Sequence, residues 1–292
     1  MPQGPEAIAI GLRGGIFIMT TWLGRFCLIA AAALFAFVVA ASAAAKPKPV
    51  EDLPMTFALV RNGDCKVRCV QWISAEGRIM TDSPRLFKKL LRSLKGQKLP
   101  VVFQSYGGSV GGAISIGRMI RAAGLETAIG RTQLNGCPML VPRCPEKIVN
   151  DGWSEGEVHA GSAYCISACP IALAGGQVRS AAPNAYIALH QITNGKPKVQ
   201  THGRRDLDQI SAIPDPALRR MLSDYYEEMG VNSRDVFASM GLATPEGIHY
   251  ILTHEALRSG IITRVFVYSE EPGYVTGPPA DAHPAAPVPV TP

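Results

Sequence analysis

Residues 100–129 read PVVFQSYGGSVGGAISIGRMIRAAGLETAI, and their pattern decides the fold. Pro100-Val101-Val102-Phe103 is a continuous apolar run of the kind buried in a parallel sheet. It gives way to Ser105-Tyr106-Gly107-Gly108-Ser109. From there Val110, Ile114, Gly117 and Ile120 recur near helical spacing, and Gly124 closes the helix. The chain returns as a strand over 126–129. Upstream, 55–61 and 69–73 read as short strands, and 84–94 as a helix with Leu86, Leu90, Leu91 and Leu94 on one face. The resulting β–α–β–α–β rhythm predicts an α/β domain with right-handed crossovers.

Downstream the rhythm breaks. Residues 131–162 hold four Gly, three Pro and two Cys and read as an inserted loop, which in a compact domain is usually a lid or a binding loop. A helix over 167–174, a turn at Gly175-Gly176 and a strand over 186–190 follow. An amphipathic stretch covers 207–229, interrupted by Pro214 and Pro216, and short helices fill 236–240 and 254–259. From 271 to 292, 7 of 22 residues are Pro, so this Pro/Ala-rich end reads as a disordered, polyproline-like tail.

The chain has 292 residues, 47% hydrophobic and 18% charged, which excludes an intrinsically disordered protein. Its 29 glycines follow no G-X-Y period, which excludes collagen. A net charge of +6 is spread without any long Lys/Arg block, so a nucleic-acid partner is not expected. The charge deficit is partly N-terminal. Residues 26–41 are uncharged and apolar, follow Arg13 and Arg25, and lead into Ser42-Ala43-Ala44-Ala45-Lys46. These are the parts of a secretory signal, expected to span 1–45 with Met19 as an alternative start. Sixteen apolar residues are short for a membrane-spanning helix of about 20, although a membrane anchor over 26–41 stays the alternative. A linker over 46–54 would precede the domain, and the exported chain is expected in the periplasm.

Export changes how the cysteines read. With Cys27 in the signal, six of seven remain: Cys65, Cys69, Cys137, Cys144, Cys165 and Cys169. An even number in an oxidising compartment favours disulfides. The spacings lack a matching His pair for zinc, so no metal is expected. Three nearest-neighbour bridges are the simplest pairing, with crossed arrangements such as Cys137 with Cys165 left open.

Ser167 opens a predicted helix, His190 ends a predicted strand, and Gly107-Gly108 sits between strand and helix. A serine hydroxyl is a poor nucleophile until an imidazole takes its proton. The free N–H groups at a helix start suit an oxyanion, which would make Gly108 and Ala168 the donors.

In this order, and with Glu255-Ala256 before Gly260-Ile261-Ile262, these features resemble the proteolytic subunit of Clp protease and the wider Clp/crotonase superfamily. The likeness spans roughly 69–130 and 163–264 and is nearest to a divergent exported branch. It implies an α/β fold of stacked β-β-α units over 55–270, with the Cys-containing segment as an insertion. In that family the serine's helix ends nine residues on in Ala-Gly, and here Ser167 leads to Gly176. The family histidine ends a strand seven residues after Pro-Asn and precedes Gln, which matches Pro183-Asn184 and His190-Gln191. The resemblance implies a Ser167 nucleophile with His190 as general base, no cofactor, and an extended peptide lying along Gly107, Ser109 and Val110. Family members form rings, and the resemblance leaves a homo-oligomer open. Crotonase-type acyl-CoA chemistry would leave the Ser/His pair unexplained, and an exported protein would have no ATPase partner. The chain departs from the pattern at three places, the first being a Ser167-to-His190 separation two residues shorter than the family norm. Tyr106 replaces the usual Pro, and the position of the family acid falls on Ile248, beside His249. Glu246 is two residues further off, and a Ser–His dyad, or an acid from another segment such as Asp206, Asp208 or Asp235, could compensate. A catalytically inactive scaffold that binds peptides is the competing expectation.

Overall fold

A computed structural model describes residues 53–67, 69–191, 193–194, 213–214, 216–243 and 247–266. The expected signal segment, the anchor over 26–41, the Pro-rich tail, Asp206, Asp208 and Glu246 lie outside the described residues.

The central apolar run forms β3 (Val101–Gln104), buried at all four positions. The helical spacing after it forms α2 (Val110–Ala123), which turns Val110, Ala113, Ile114, Ile116, Gly117 and Ile120 inward. Each large apolar side chain buried this way contributes about 1.5–3 kcal/mol. Ser109 caps α2 by accepting from the Gly112 N–H, and Gly124 ends it at φ 64°. Both termini follow from the sequence signals. Around this unit stand β1 (Thr56–Asn62), β2 (Val70–Glu76), α1 (Ser83–Ser93), β4 (Thr127–Ile129), β5 (Arg131–Leu134) and β6 (Trp153–His159). Then come β7 (Tyr164–Ile166), α3 (Cys169–Leu173), β8 (Arg179–Ala181), β9 (Tyr186–Leu189), β10 (Thr193–Asn194) and β11 (Ile213–Pro214). The remaining elements are α4 (Pro216–Glu228), α5 (Ser233–Gly241), β12 (His249–Ile251), α6 (Thr253–Ser259) and β13 (Arg264–Val265).

The fold is α/β. Among the described residues an eight-stranded sheet runs β13-β8-β4-β3-β2-β1-β6-β5, and a three-stranded sheet runs β12-β9-β7. The stretch from β2 through β3, β4 and β8 to β13 is parallel throughout. A parallel bridge between Ser105 and Cys165 joins the end of β3 to β7, so the two sheets meet at the residues singled out above.

Residues 131–162 are not a structureless insertion. They supply β5 and β6, which pair antiparallel, and β6 joins the main sheet parallel to β1. Nine of the 32 residues there are Gly, Pro or Cys, and they mask two short alternating strands. The bridge Cys137–Cys144 closes the loop between them. Cys137 packs on the cluster of Ala58, Val60, Trp72, Val102 and Leu134 rather than over Ser167.

That loop also carries Arg143 into the interior beside a second buried charge. Glu76, at the end of β2, accepts from the Thr132 N–H at 2.6 Å. Burial pushes its carboxyl above the usual range, and the Arg143 guanidinium and the Thr132 N–H only partly offset this. Replacing Arg143 with Met should raise the folded-state value further. The unfolded carboxyl ionises near 4.5, so stability is retained below that pH and lost as pH rises toward the folded value. We expect urea unfolding to show a loss of about 3–5 kcal/mol at pH 8 and clearly less near pH 4.5.

Two close approaches fix the helices behind β3. Gly117 of α2 lies against Gly175, where an added Cβ would meet the Gly117 carbonyl. The Tyr225 hydroxyl crosses Gly117 to donate to the Ile171 carbonyl at 2.6 Å. Arg121 and Arg179 cap the carbonyls of Gly176 and Met229 together. Burial and the neighbouring Arg121 guanidinium push Arg179 down to about 10, so it remains cationic at neutral pH. These contacts brace α3, the helix that follows Ser167.

Candidate active site

Strand β7 runs almost directly into α3, and Ser167 and Ala168 make the turn between them. Ser167 has φ 62°, a left-handed conformation that costs a non-glycine residue about 1–2 kcal/mol. Three restraints hold it there. Its N–H donates to the Ala188 carbonyl at 2.8 Å, and the Ile166 N–H donates to Ser105 at 2.9 Å. A disulfide joins Cys165 in β7 to Cys169 at the first position of α3, with Cα atoms 5.1 Å apart. The expectation that Ser167 begins the helix is therefore corrected. The helix starts two residues later, with Pro170 in its first turn and Ala168 at the N-cap. A sharp strand–turn–helix lifts the hydroxyl out of the chain's path instead of using it as a cap.

The hydroxyl faces His190, which lies just past the end of β9. Ser167 Oγ is 2.6 Å from His190 Nε2, and both residues are half-buried. The other ring nitrogen, Nδ1, lies 2.9 Å from the Gln191 carbonyl oxygen. A carbonyl can only accept, so Nδ1 carries the proton and Nε2 presents a lone pair to Ser167. This is the tautomer a general base needs. Gln191 is held in turn, since its Nε2 donates to the Ala243 carbonyl at 2.9 Å.

The glycine turn abuts the serine elbow. A Cβ added to Gly107, at φ 92°, would stand 2.6 Å from Ala168 N and 2.7 Å from Ser167 Cβ. Ser105 sets this turn by donating its hydroxyl to the Gly77 carbonyl at 2.7 Å and accepting from Gly107 N–H at 3.0 Å. Ile79 bonds the other side, donating to the Gly107 carbonyl and accepting from Ser109 N–H, each at 2.8 Å. Among the described residues, neither the Gly108 N–H nor the Ala168 N–H has an acceptor. The edge expected to receive substrate is shorter than the sequence suggested. Gly107 and Ser109 are engaged by Ile79, and Val110 is buried as the first residue of α2, which leaves the Gly108 peptide groups.

Register decides which side chain from β12 stands beside the histidine. Strand β12 pairs with β9 so that His249 faces Leu189, which sets Ile248 opposite His190. The side chain at that place is aliphatic. Asp235 lies in the first turn of α5 with its backbone N–H capped by Asn232, and it makes no bond to His190. Sequence reasoning missed Ser105 and Gln191. The signal for Gln191 was its place after the histidine, but its contribution is a backbone atom. No group of three or more metal-ligating side chains stands together among the described residues.

The six cysteines form the three nearest-neighbour bridges: Cys65–Cys69, Cys137–Cys144 and Cys165–Cys169. Their exposure differs. Cys65 is on the surface, whereas Cys165 and Cys169 are wholly buried. Thiol–disulfide exchange requires access. Timed alkylation with mass mapping should therefore show Cys65–Cys69 opening first and Cys165–Cys169 last, the latter only as the domain unfolds.

No family model matches the chain, and no curated protein does. Among solved structures the chain is similar to ClpP1 from Listeria monocytogenes, with 14% identity and a TM-score of 0.39, covering 65% of this chain and 86% of that one. A point mutant of the same protein gives 13% identity and a TM-score of 0.36 over the same shares.

Proposed function

We propose that this chain is an exported Clp-like serine hydrolase that cleaves acyl bonds in extended peptides. The observation that carries the reading is the 2.6 Å contact between Ser167 Oγ and the acceptor nitrogen of His190, on a turn with φ 62°. In the first step the Ser167 oxygen attacks the scissile carbonyl carbon while His190 Nε2 takes the hydroxyl proton. Negative charge gathers on the carbonyl oxygen, where the unengaged Gly108 and Ala168 N–H groups can donate. His190 then passes its proton to the departing amine. A water deprotonated by the same nitrogen releases the acyl group from Ser167.

The Gln191 carbonyl orients the ring as a carboxylate would, with less power to stabilise the imidazolium. Export is supported by the signal-like segment over 1–45 and by three disulfides. Among the described residues no helix is long and apolar enough to cross a membrane. The neutral partner of His190 favours one competing reading, a peptide-binding scaffold without turnover. A fluorophosphonate probe on the full chain separates the two. Labelling that maps to Ser167 and vanishes in Ser167→Ala supports the hydrolase, and an unlabelled wild type overturns it.

A further inference from the structure

The chain's excess positive charge belongs to one helix and the turn after it. Residues 83–98 hold six Lys/Arg and no Asp/Glu, and taking these six from the 29 basic residues leaves 23 against 23 acidic ones. Along the sequence the six are scattered, with Lys88-Lys89 the only adjacent pair. The winding of α1 (Ser83–Ser93) gathers them. Arg85, Lys88, Lys89 and Arg92 fall at i, i+3, i+4 and i+7 and so share one face. All four are exposed, as are Lys95 and Lys98 between the helix and β3. The opposite face is sunk into the domain. Phe87 is buried with its ring 5.0 Å from that of Phe57 in β1, and Leu90 and Leu91 pack on the core.

This cationic stripe is left almost unneutralised. Arg85 meets Asp82 at 3.5 Å, and among the described residues no carboxylate pairs with the other five. Neighbours on such a face stand about 5–6 Å apart, inside the roughly 8 Å Debye length at physiological salt, so their fields add. Like charges at this spacing weaken a helix, and α1 is already held by its apolar face, so the fold itself gains nothing from them. Their use lies with an anionic partner. Chemistry narrows which one. No aromatic side chain of α1 is exposed, so the stripe has nothing to stack on a base. A helix half-sunk in its own domain offers a shallow ridge rather than a rod that enters a groove. Such a basic face complements a flat layer of phosphate headgroups.

We propose that α1 and the turn after it dock this domain on the surface of an anionic phospholipid bilayer. The Lys and Arg side chains reach the phosphates while the apolar face of the helix stays in the domain. Contact is therefore electrostatic and reversible, without the burial of apolar side chains that an inserted helix makes. The proposal goes beyond the hydrolase reading and does not require Ser167 chemistry.

Co-sedimentation of the full chain with vesicles of phosphatidylglycerol and phosphatidylcholine in equal parts tests this. Each cation near such a surface is worth about fivefold in binding, so a chain carrying Lys88→Gln, Lys89→Gln and Arg92→Gln should bind about 10²-fold more weakly. A control chain carries Lys147→Gln, Arg234→Gln and Arg258→Gln, exposed residues elsewhere in the domain. It loses the same net charge and should weaken by less than about threefold, because screening confines the attraction to charges near the surface. All three chains share residues 1–45, so any binding by that segment is common to them. The helix variant should melt no lower than the native chain, since it removes like-charge repulsion. Salt near 1 M, where the Debye length is about 3 Å, should release the native chain to the level of the helix variant. Equal losses in the two variants overturn the proposal, as does native binding no tighter than to phosphatidylcholine alone. A DNA duplex that binds the native chain more tightly than the vesicles at equal phosphate also overturns it, and assigns the stripe to nucleic acid.

Discussion

Ser167→Ala is expected to reduce hydrolysis of a peptide ester by at least about 10⁴-fold, with His190→Ala and the double variant losing nearly as much. The two groups share one proton across 2.6 Å, so removing either removes the same step. Whatever remains would come from the Gly108 and Ala168 donors acting on bound substrate. Thermal unfolding should barely change, because both side chains are half-buried and the restraints on the elbow are backbone bonds and a disulfide. Ser167→Ala loses the hydroxyl but keeps a non-glycine residue at φ 62°. Ser167→Gly should therefore be the more stable of the two inactive variants. Losses that multiply in the double variant would mean that the two residues serve separate steps.

Gly107→Ala is expected to cost more stability than any exposed glycine substitution in the domain. Gly96 supplies the control, since it has nearly the same φ, 91° against 92°, and an added Cβ there meets nothing within 4 Å. Gly96→Ala thus isolates the price of the left-handed backbone, about 1–2 kcal/mol. At Gly107 the methyl must also displace Ala168 N and Ser167 Cβ, an overpacking that adds about 1–3 kcal/mol. The displaced atoms belong to the elbow, so activity should fall by about 10² or more along with stability. Denaturant titration of both variants beside a rate measurement checks this. Equal destabilisation at Gly96 and Gly107 would show that the glycine turn and the serine elbow do not touch as described.

How far the sequence carried is clear from particular elements. The unit β3–α2–β4 was legible because each signal agreed: an all-apolar strand, a helical period, a serine cap and a closing glycine. Strands β5 and β6 were not. Each is short, and their alternation is diluted by the glycines, prolines and cysteines between them, which score as loop. Strand β2 was read three residues short because Ser74-Ala75-Glu76 looks polar, yet all three are buried. A carboxylate in a sheet interior becomes intelligible only once Thr132 and Arg143, far away in sequence, stand beside it. At the site, the letters and spacing singled out Ser167, His190 and the glycine pair, which the fold brings side by side. The elbow's positive φ was hidden, because a serine before a helix usually means a cap. The disulfide pairing was one choice among many until the strand-to-helix turn brought Cys165 and Cys169 together.

The histidine's second partner is a peptide oxygen, and every amino acid at position 191 would supply one. For the hydrolase proposed above, an alanine scan across the site would thus record two residues and pass over the third contributor without a trace. Substitution at 191 reaches it only indirectly, by releasing the side-chain tether to Ala243 and letting the peptide plane rotate. Backbone chemistry reaches it directly: a thioamide between residues 191 and 192 would replace that oxygen with a weaker acceptor while leaving every side chain in place. Drift at 191 is accordingly free of the constraint that ties a carboxylate to its codon, and an altered chain path just beyond this residue becomes the efficient way to silence the site.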